Sequence, residues 1–140
     1  MQVHPYLTFN GNCREAMRFY QKCLGGKLTF QTIGESPLSE KMPARMKDAI
    51  LHATLIKDEF VLMGSDMCDE ALDHGNALTL LLSCTSRRQL SSYYQKLSEG
   101  GKQEHPPALT IQKSLSGDLR DKYGNKWVLH YNAPVSRKAR

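Results

Sequence analysis

The sequence contains no apolar run that approaches the roughly 20 residues needed for a membrane-spanning helix, so we expect no membrane partner. The opening residues, Met1 to Pro5, have neither the basic cluster nor the long apolar core of a secretory signal peptide. A cytoplasmic location is the default expectation that follows.

The sequence lacks the cysteine spacing of common zinc and redox motifs. The four cysteines form no Cys-x-x-Cys pair, and no histidine stands at zinc-finger spacing. In a reducing cytoplasm we expect structural, reduced thiols. Cys68, on a predicted loop, is the candidate for a reactive thiol.

Positive charge is concentrated at the end of the chain. The net charge is +5, and Arg137, Lys138 and Arg140 supply three of these charges. No stripe of alternating aromatic and basic residues, which is typical of a nucleic-acid interface, occurs elsewhere. We therefore interpret residues 133–140 as a solvated basic tail and expect no nucleic-acid partner.

A short motif occurs twice in the chain. Tyr20-Gln21-Lys22 recurs as Tyr94-Gln95-Lys96, and the pair Gly25-Gly26 recurs as Gly100-Gly101. Each copy ends a helical pattern that lies between strand-like segments. The distance along the chain between the two copies is too long for a solenoid repeat. It indicates a duplicated module.

Alternating apolar residues predict four strands in each half of the chain. The predicted strands are 3–9, 27–33, 50–56, 60–65, 77–84, a short one near 102, weak strands within 109–120, and 126–131. The order βαβββ therefore occurs twice. In each copy the helix covers one face of the sheet and leaves the other uncovered.

The predicted fold class is α+β, with two tandem βαβββ modules that form an incomplete barrel around a cavity. We predict a single domain over residues 1–132 and a tail over 133–140. Within the domain, module one covers 1–65, a linker covers 66–75, and module two covers 76–132.

Both predicted helices begin with a pattern typical of a capping box, in which a polar residue precedes Glu or Gln by three positions. Asn12 with Glu15 begins the first helix, and Ser86 with Gln89 begins the second. The two Gly pairs end the helices, because glycine tolerates the left-handed cap.

With these modules the chain resembles the vicinal oxygen chelate superfamily, which includes glyoxalase I, extradiol dioxygenases and the fosfomycin- and bleomycin-resistance proteins. The likeness is closest to a glyoxalase-like subgroup named after a phosphonate-utilisation operon. It rests on residues 5–12, 15–20, 24–26, 47–66 and 121–127. The resemblance implies the paired-module fold and a homodimer, but it specifies no activity, because one fold hosts many chemistries.

This subgroup also carries a ubiquinone-methyltransferase label. The sequence gives that activity no support. It has no Gly-rich strand-to-helix loop of the nucleotide-binding kind, and no acidic residue is placed to hold a ribose.

Family metalloenzymes hold a divalent ion with His, Glu or Gln side chains on four cavity-facing strands. The resemblance places these positions at His4, Met63, Thr79 and Val128. Thioether, hydroxyl and isopropyl groups do not replace the oxygen and imidazole ligands that such cations require. We therefore predict no metal site of the family type and no cofactor.

Strand alternation predicts which other residues face the cavity. The predicted ligand-binding residues are Tyr6, His52, Thr54, Met63, Ser65, Thr79, Val128 and His130. The remaining histidines, His74 and His105, are predicted to lie in exposed loops.

Several alternatives stay open at this point. His4, His52 and His130 form either a rearranged metal site or hydrogen-bonded imidazoles on a polar wall. Asp66 is either an acid at the rim of the cavity or a turn cap. Trp127 is either a core anchor or a stacking platform for a ligand.

Two functions fit this sequence. The first is a metal-independent binding protein for a small organic ligand, which the half-apolar cavity and the missing metal ligands favour. The second is a lyase, isomerase or dioxygenase-like enzyme that acts on a small organic substrate through His4 as base or through an altered metal site. A degenerate homologue with a collapsed cavity is the third possibility.

Overall fold

The computed structural model describes residues 1–66 and 70–133. The chain divides into two compact units, Met1–Asp73 and His74–Arg140, and the boundary falls inside the predicted linker. Cys68 and residues 134–140 of the basic tail lie outside the described residues. Within the described part, neither helix has the length and apolar character that a membrane crossing requires.

The first unit is a four-stranded sheet with one long helix. Its elements are β1 (Tyr6–Thr8), α1 (Cys13–Leu24), β2 (Lys27–Thr32), β3 (Ile50–Lys57) and β4 (Phe60–Ser65), with 3-10 turns at Pro37–Glu40 and Ala44–Met46. The strand order is β1-β4-β3-β2. β1 runs parallel to β4, and the other neighbours are antiparallel.

The second unit repeats this layout. Its elements are β5 (Leu80–Ser83), α2 (Arg87–Leu97), β6 (Lys102–Leu109), β7 (Leu115–Arg120) and β8 (Lys126–Tyr131). The strand order is β5-β8-β7-β6, again with the first strand parallel to the last. The predicted α+β class and the two βαβββ modules are confirmed.

The first strand of each module is shorter than predicted. β1 begins at Tyr6 because Pro5 has no N–H to extend the ladder, although its carbonyl accepts a hydrogen bond from Met63. The prediction that the strand begins at Val3 was wrong, and His4 precedes the strand. β5 begins at Leu80, so Thr79 also lies just before its strand.

β6 is longer than predicted and continues through Pro106-Pro107. It is an edge strand, and its register with β7 shifts on both sides of His105. Edge strands and bulges are the places where a sheet tolerates proline. The prediction that His105 lies in a loop was therefore wrong.

Each helix covers one face of its own sheet. The buried face of α1 consists of Cys13, Ala16, Met17, Tyr20, Cys23 and Leu24. On the sheet beneath, Ala53, Leu55 and Leu62 are fully buried. Gly64 leaves room for the helix, since a Cβ there would lie 3.1–3.3 Å from Phe9, Met17 and Cys13.

In the second unit, α2 buries Leu90, Tyr94 and Leu97. The buried side chains of its sheet are Leu119, Trp127 and Leu129. Trp127 is 1% exposed, and its Nε1 donates to Asp121 Oδ2 at 2.8 Å. Trp127 is therefore a core residue of this unit.

The two Gly pairs have a common structural cause. The first glycine of each pair has positive φ, 82° at Gly25 and 76° at Gly100. The second lies against the backbone of a neighbouring strand. A Cβ on Gly26 would lie 2.6 Å from the Ile56 carbonyl oxygen, and one on Gly101 would overlap the Arg120 carbonyl.

The two helix starts are capped in different ways. Ser86 accepts a hydrogen bond from the Gln89 N–H at 3.0 Å, as the sequence pattern predicts. Asn12 makes no side-chain cap. Instead, the Asp66 carboxylate accepts from the N–H groups of Gly11 and Cys13 at 3.0 and 2.9 Å. It also accepts from Ile50 at 2.9 Å, which makes Asp66 a long-range cap.

Candidate functional site

The uncovered face of the first sheet carries a row of aligned side chains. Tyr6 pairs with Met63, Met63 with Thr54, and Thr54 with Thr29 across the four strands. Residues directly opposite one another on neighbouring strands point to the same face. This is the face opposite α1, since the intervening residues Ala53, Leu55 and Leu62 are buried beneath the helix.

His52 joins this row through two contacts. Its ring centroid lies 5.9 Å from that of Tyr6, and its Nε2 lies 3.2 Å from the Thr54 hydroxyl. Tyr6 is 51% exposed, while His52, Thr54 and Met63 are partly exposed. We call Tyr6, His52, Thr54 and Met63 the module-one face.

Ser65 lies on the same side of the sheet but is only 3% exposed. It pairs with Thr8 at the end of β4. Its hydroxyl is therefore poorly placed to meet a ligand in this conformation, and the module-one face ends before it.

His4 lies in a separate pocket of about 550 Å³ at the tip of the β3–β4 hairpin. The other residues that line this pocket are Gln2, Val3, Asp58, Glu59 and Val61. The Nε2 atom of His4 lies 3.1 Å from the side-chain oxygen of Gln2. Two carboxylate-bearing residues and an imidazole share this pocket.

The remaining predicted residues lie in the second unit. Val128 pairs with Leu81 on one side and Asp118 on the other, while His130 pairs with Ser83 and Ser116. His130 Nε2 lies 3.0 Å from Asn132 Oδ1. Thr79 is exposed and precedes the strand. The predicted cavity residues thus form two sets, one on each unit.

The strand registers bear on the metal site that the fold family implies. Tyr6, not His4, stands opposite Met63, and Leu81, not Thr79, stands opposite Val128. The same two-residue offset occurs in both modules. Phenol, thioether, leucine and valine side chains do not form a donor set for a divalent ion.

Among residues 1–66 and 70–133, no group of three or more His, Cys, Asp or Glu side chains is placed to hold a metal ion. The side chains at the family positions supply one imidazole at most. The side chains at these positions therefore do not fit the family's divalent ion.

The buried cysteines have the character of structural thiols. Burial, together with the nearby Asp66 carboxylate, raises the pKa of Cys13 to about 12. Burial likewise raises the pKa of Cys84 to about 11. Because the thiolate is the reactive form, neither side chain is suited to nucleophilic chemistry near neutral pH.

Two features of these faces were missed from the sequence. Thr29 pairs with Thr54 and so lies beside the module-one face, which only the strand order reveals. The hydrogen bond of 2.8 Å between His105 Nδ1 and Asp118 Oδ1 depends on the irregular register of β6. No spacing rule predicts such a register.

Known proteins with the same architecture show which fold class this chain has. A glyoxalase/bleomycin resistance protein from Albidiferax ferrireducens T118 aligns with a TM-score of 0.66 at 19% identity, over 95% of this chain and 99% of its own. At that identity the likeness shows the fold alone. The fold is that of the glyoxalase/bleomycin resistance/dioxygenase superfamily, as the resemblance implied.

Two other proteins are more similar to this chain in sequence. Protein YjdN of Escherichia coli (strain K12) is 31% identical over 144 residues, which cover 93% of this chain and 95% of that protein. Protein PA1353 from Pseudomonas aeruginosa has a crystal structure with a TM-score of 0.83 and 34% identity, covering 94% of this chain and 98% of its own.

The chain belongs to the 3-demethylubiquinone-9 3-methyltransferase family, whose model matches residues 1–130. The label noted for the phosphonate-operon subgroup is thus the name of the matching family. That name describes the family, and a fold that hosts many chemistries does not by itself assign methyl transfer to this chain.

Proposed function

We propose that this chain is a glyoxalase-like protein that binds a small organic molecule on the module-one face without a metal ion. The observation that carries the proposal is the cluster of Tyr6, His52 and Thr54, beside Met63, on the sheet face opposite α1. An aromatic ring, a thioether and two hydrogen-bonding groups are typical of small-molecule sites.

The chemistry of these side chains indicates a class of ligand. Tyr6 and Met63 offer flat, polarizable apolar surface. His52 and Thr54 each offer a hydrogen-bonding atom at the edge of that surface. A planar organic molecule with at least one polar substituent would use both.

The test is a fragment screen by thermal shift in buffer with EDTA, followed by calorimetric titration of the strongest hit. We expect Tyr6→Ala and His52→Ala each to weaken binding by about three- to tenfold, since each removes one contact of roughly 0.5–1.5 kcal/mol. Tyr123→Ala, in the second unit, serves as the matched control and should leave the affinity unchanged. Equal affinity in all variants would overturn the proposal.

A second candidate is an enzyme of the lyase, isomerase or dioxygenase type that acts through His4 as base or through an altered metal site. The pocket in which His4 lies with Asp58 and Glu59 favours it. Metal content after loading with Zn, Mn, Ni or Fe(II) and desalting decides the metal form of this hypothesis. Near-stoichiometric metal that is lost in His4→Ala would make this candidate the leading one.

We also propose that the chain forms a homodimer, as the resemblance to the superfamily implies. Sedimentation equilibrium measures this directly, and a mass of one chain across the micromolar range would contradict it. The cytoplasmic location and the absence of a nucleic-acid partner stay predictions from the sequence.

A further inference from the structure

The second unit carries a hydrogen-bonded pair of ionisable side chains that is separate from the module-one face. His105 Nδ1 lies 2.8 Å from Asp118 Oδ1, and the side chains are 79% and 37% exposed. Asp118 pairs with Val128 on β8, so the pair lies on the sheet face that α2 does not cover. A small molecule in solution can reach it.

Three features of the fold hold this pair together. The register of β6 shifts on both sides of His105, and bulges of this kind redirect side chains. Gly117 admits the irregular segment, because a Cβ there would lie 2.9–3.1 Å from Pro107 and from the His105 carbonyl. From the other face, the Tyr94 hydroxyl donates to the Asp118 carbonyl at 2.9 Å.

An exposed ion pair contributes little to stability, so folding alone is a weak reason for this arrangement. Its chemical effect is specific. When Asp118 accepts the proton on Nδ1, the neutral imidazole of His105 is fixed in the tautomer that leaves a lone pair on Nε2. With the ring 79% exposed, that atom is open to a ligand.

Cationic side chains lie on the same sheet face, in the row of paired residues next to that of Asp118. Lys102 pairs with Arg120, and Arg120 with Lys126, two residues along β7 from Asp118. Two residues along a strand correspond to about 7 Å. Glu104 lies 3.9 Å from Arg120 and offsets part of this charge. The positive charges of Lys102 and Lys126 would attract an anion that forms on a ligand at this face.

We propose that His105 and Asp118 form a general-base site for small carbon acids and phenols, whose conjugate bases are anions. The proton of the ligand moves to Nε2 of His105, and the electron pair of the broken C–H or O–H bond stays on the ligand. The imidazolium that forms is paired with the Asp118 carboxylate. The proposal goes beyond the module-one face and does not depend on it.

The experiment uses 5-nitro-1,2-benzisoxazole, a carbon acid that opens to a coloured phenolate when a base removes its proton. We expect His105→Ala to lower the protein-catalysed rate by at least about tenfold and Asp118→Asn to lower it severalfold. His74→Ala, at an exposed histidine of the same unit that lies outside the sheet, is the matched control and should change the rate by less than about twofold. An unchanged rate in His105→Ala would overturn the proposal.

Nitrogen NMR of the histidine rings distinguishes a chemical role from a structural one. Neutral His105 should carry its proton on Nδ1 in the full chain and shift towards the Nε2–H form in Asp118→Asn. The same tautomer in both proteins would refute the role assigned to Asp118, even if the fold is intact.

Discussion

Asp66 shows how a single residue takes over a role that the local sequence assigns to another. The pattern at Asn12 and Glu15 predicts a local cap, yet the N–H groups of Gly11 and Cys13 at the helix start bond to a carboxylate more than 50 residues away. The alternative of a turn-capping Asp66 is therefore the one that the structure shows. Ser86, whose cap is local, follows the sequence pattern.

Replacing Asp66 by Asn tests this long-range cap. The amide of Asn can still accept from Gly11 and Cys13, but its NH2 group would then face the N–H of Ile50. We expect a loss of about 2–4 kcal/mol in the free energy of unfolding, because a buried donor loses its partner. Urea denaturation measures it, with the exposed Asp48→Asn as control. A loss equal to that of the control would contradict the assignment.

The thiols of Cys13 and Cys84 give a prediction for pH dependence. Their pKa values rise from 9.0 to about 12 and about 11 in the folded chain. The folded state therefore holds these protons more tightly than the unfolded state. The stability that this provides is present below pH 9 and is lost as the pH rises towards 11–12.

Iodoacetamide labelling at pH 8, read by peptide mass spectrometry, tests the burial behind these shifts. We expect Cys13 and Cys84 to react at least about a hundredfold faster in urea than in the native protein, because burial blocks the thiolate form. Comparable rates in the two conditions would show that these side chains are accessible in the native fold.

At the scale of secondary-structure elements, the sequence predicted the interior of each module better than its edges. β4 and β8 begin and end as predicted, because apolar alternation is strong where a strand has neighbours on both sides. The outermost strands of the two sheets are β1, β2, β5 and β6. The predicted bounds were wrong for β1, β5 and β6, whereas those of β2 differ by one residue. Their side chains are less buried, so the pattern that marks a strand is weaker there.

The repeated Gly pairs are the element-scale feature that the sequence predicted as helix ends and the structure explains further. Gly26→Ala should destabilise by more than about 3 kcal/mol, since it combines positive φ with a Cβ 2.6 Å from the Ile56 carbonyl. Gly11→Ala has the same backbone strain but nothing within 4 Å, and should cost about 1–2 kcal/mol. Thermal denaturation of both variants separates the two effects, and equal losses would show that the close approach is unimportant.

At the scale of the whole molecule, the two modules share a layout but not a surface chemistry. The first presents a phenol, an imidazole, a hydroxyl and a thioether on its uncovered face. The second presents leucine and valine beside an imidazole–carboxylate pair. The shared layout places side chains at equivalent positions on the two sheets. The residues at those positions differ, so the two faces differ in chemistry.

The candidate site could be predicted in part from the sequence, because side chains alternate between the two faces of a strand. Strand parity alone assigns Tyr6, His52, Thr54 and Met63 to one face of a sheet. It does not give the register between strands, which places Tyr6 rather than His4 opposite Met63. The irregular edge strand that brings His105 to Asp118 follows no simple period, so that pair required the structure.

The most direct test of the proposed function is to map a bound fragment by NMR of the isotope-labelled chain in EDTA. We expect shift changes centred on Tyr6, His52, Thr54 and Met63, which persist without any divalent ion and disappear in Tyr6→Ala. Binding that requires an added metal ion, or shifts confined to residues away from this face, would contradict it.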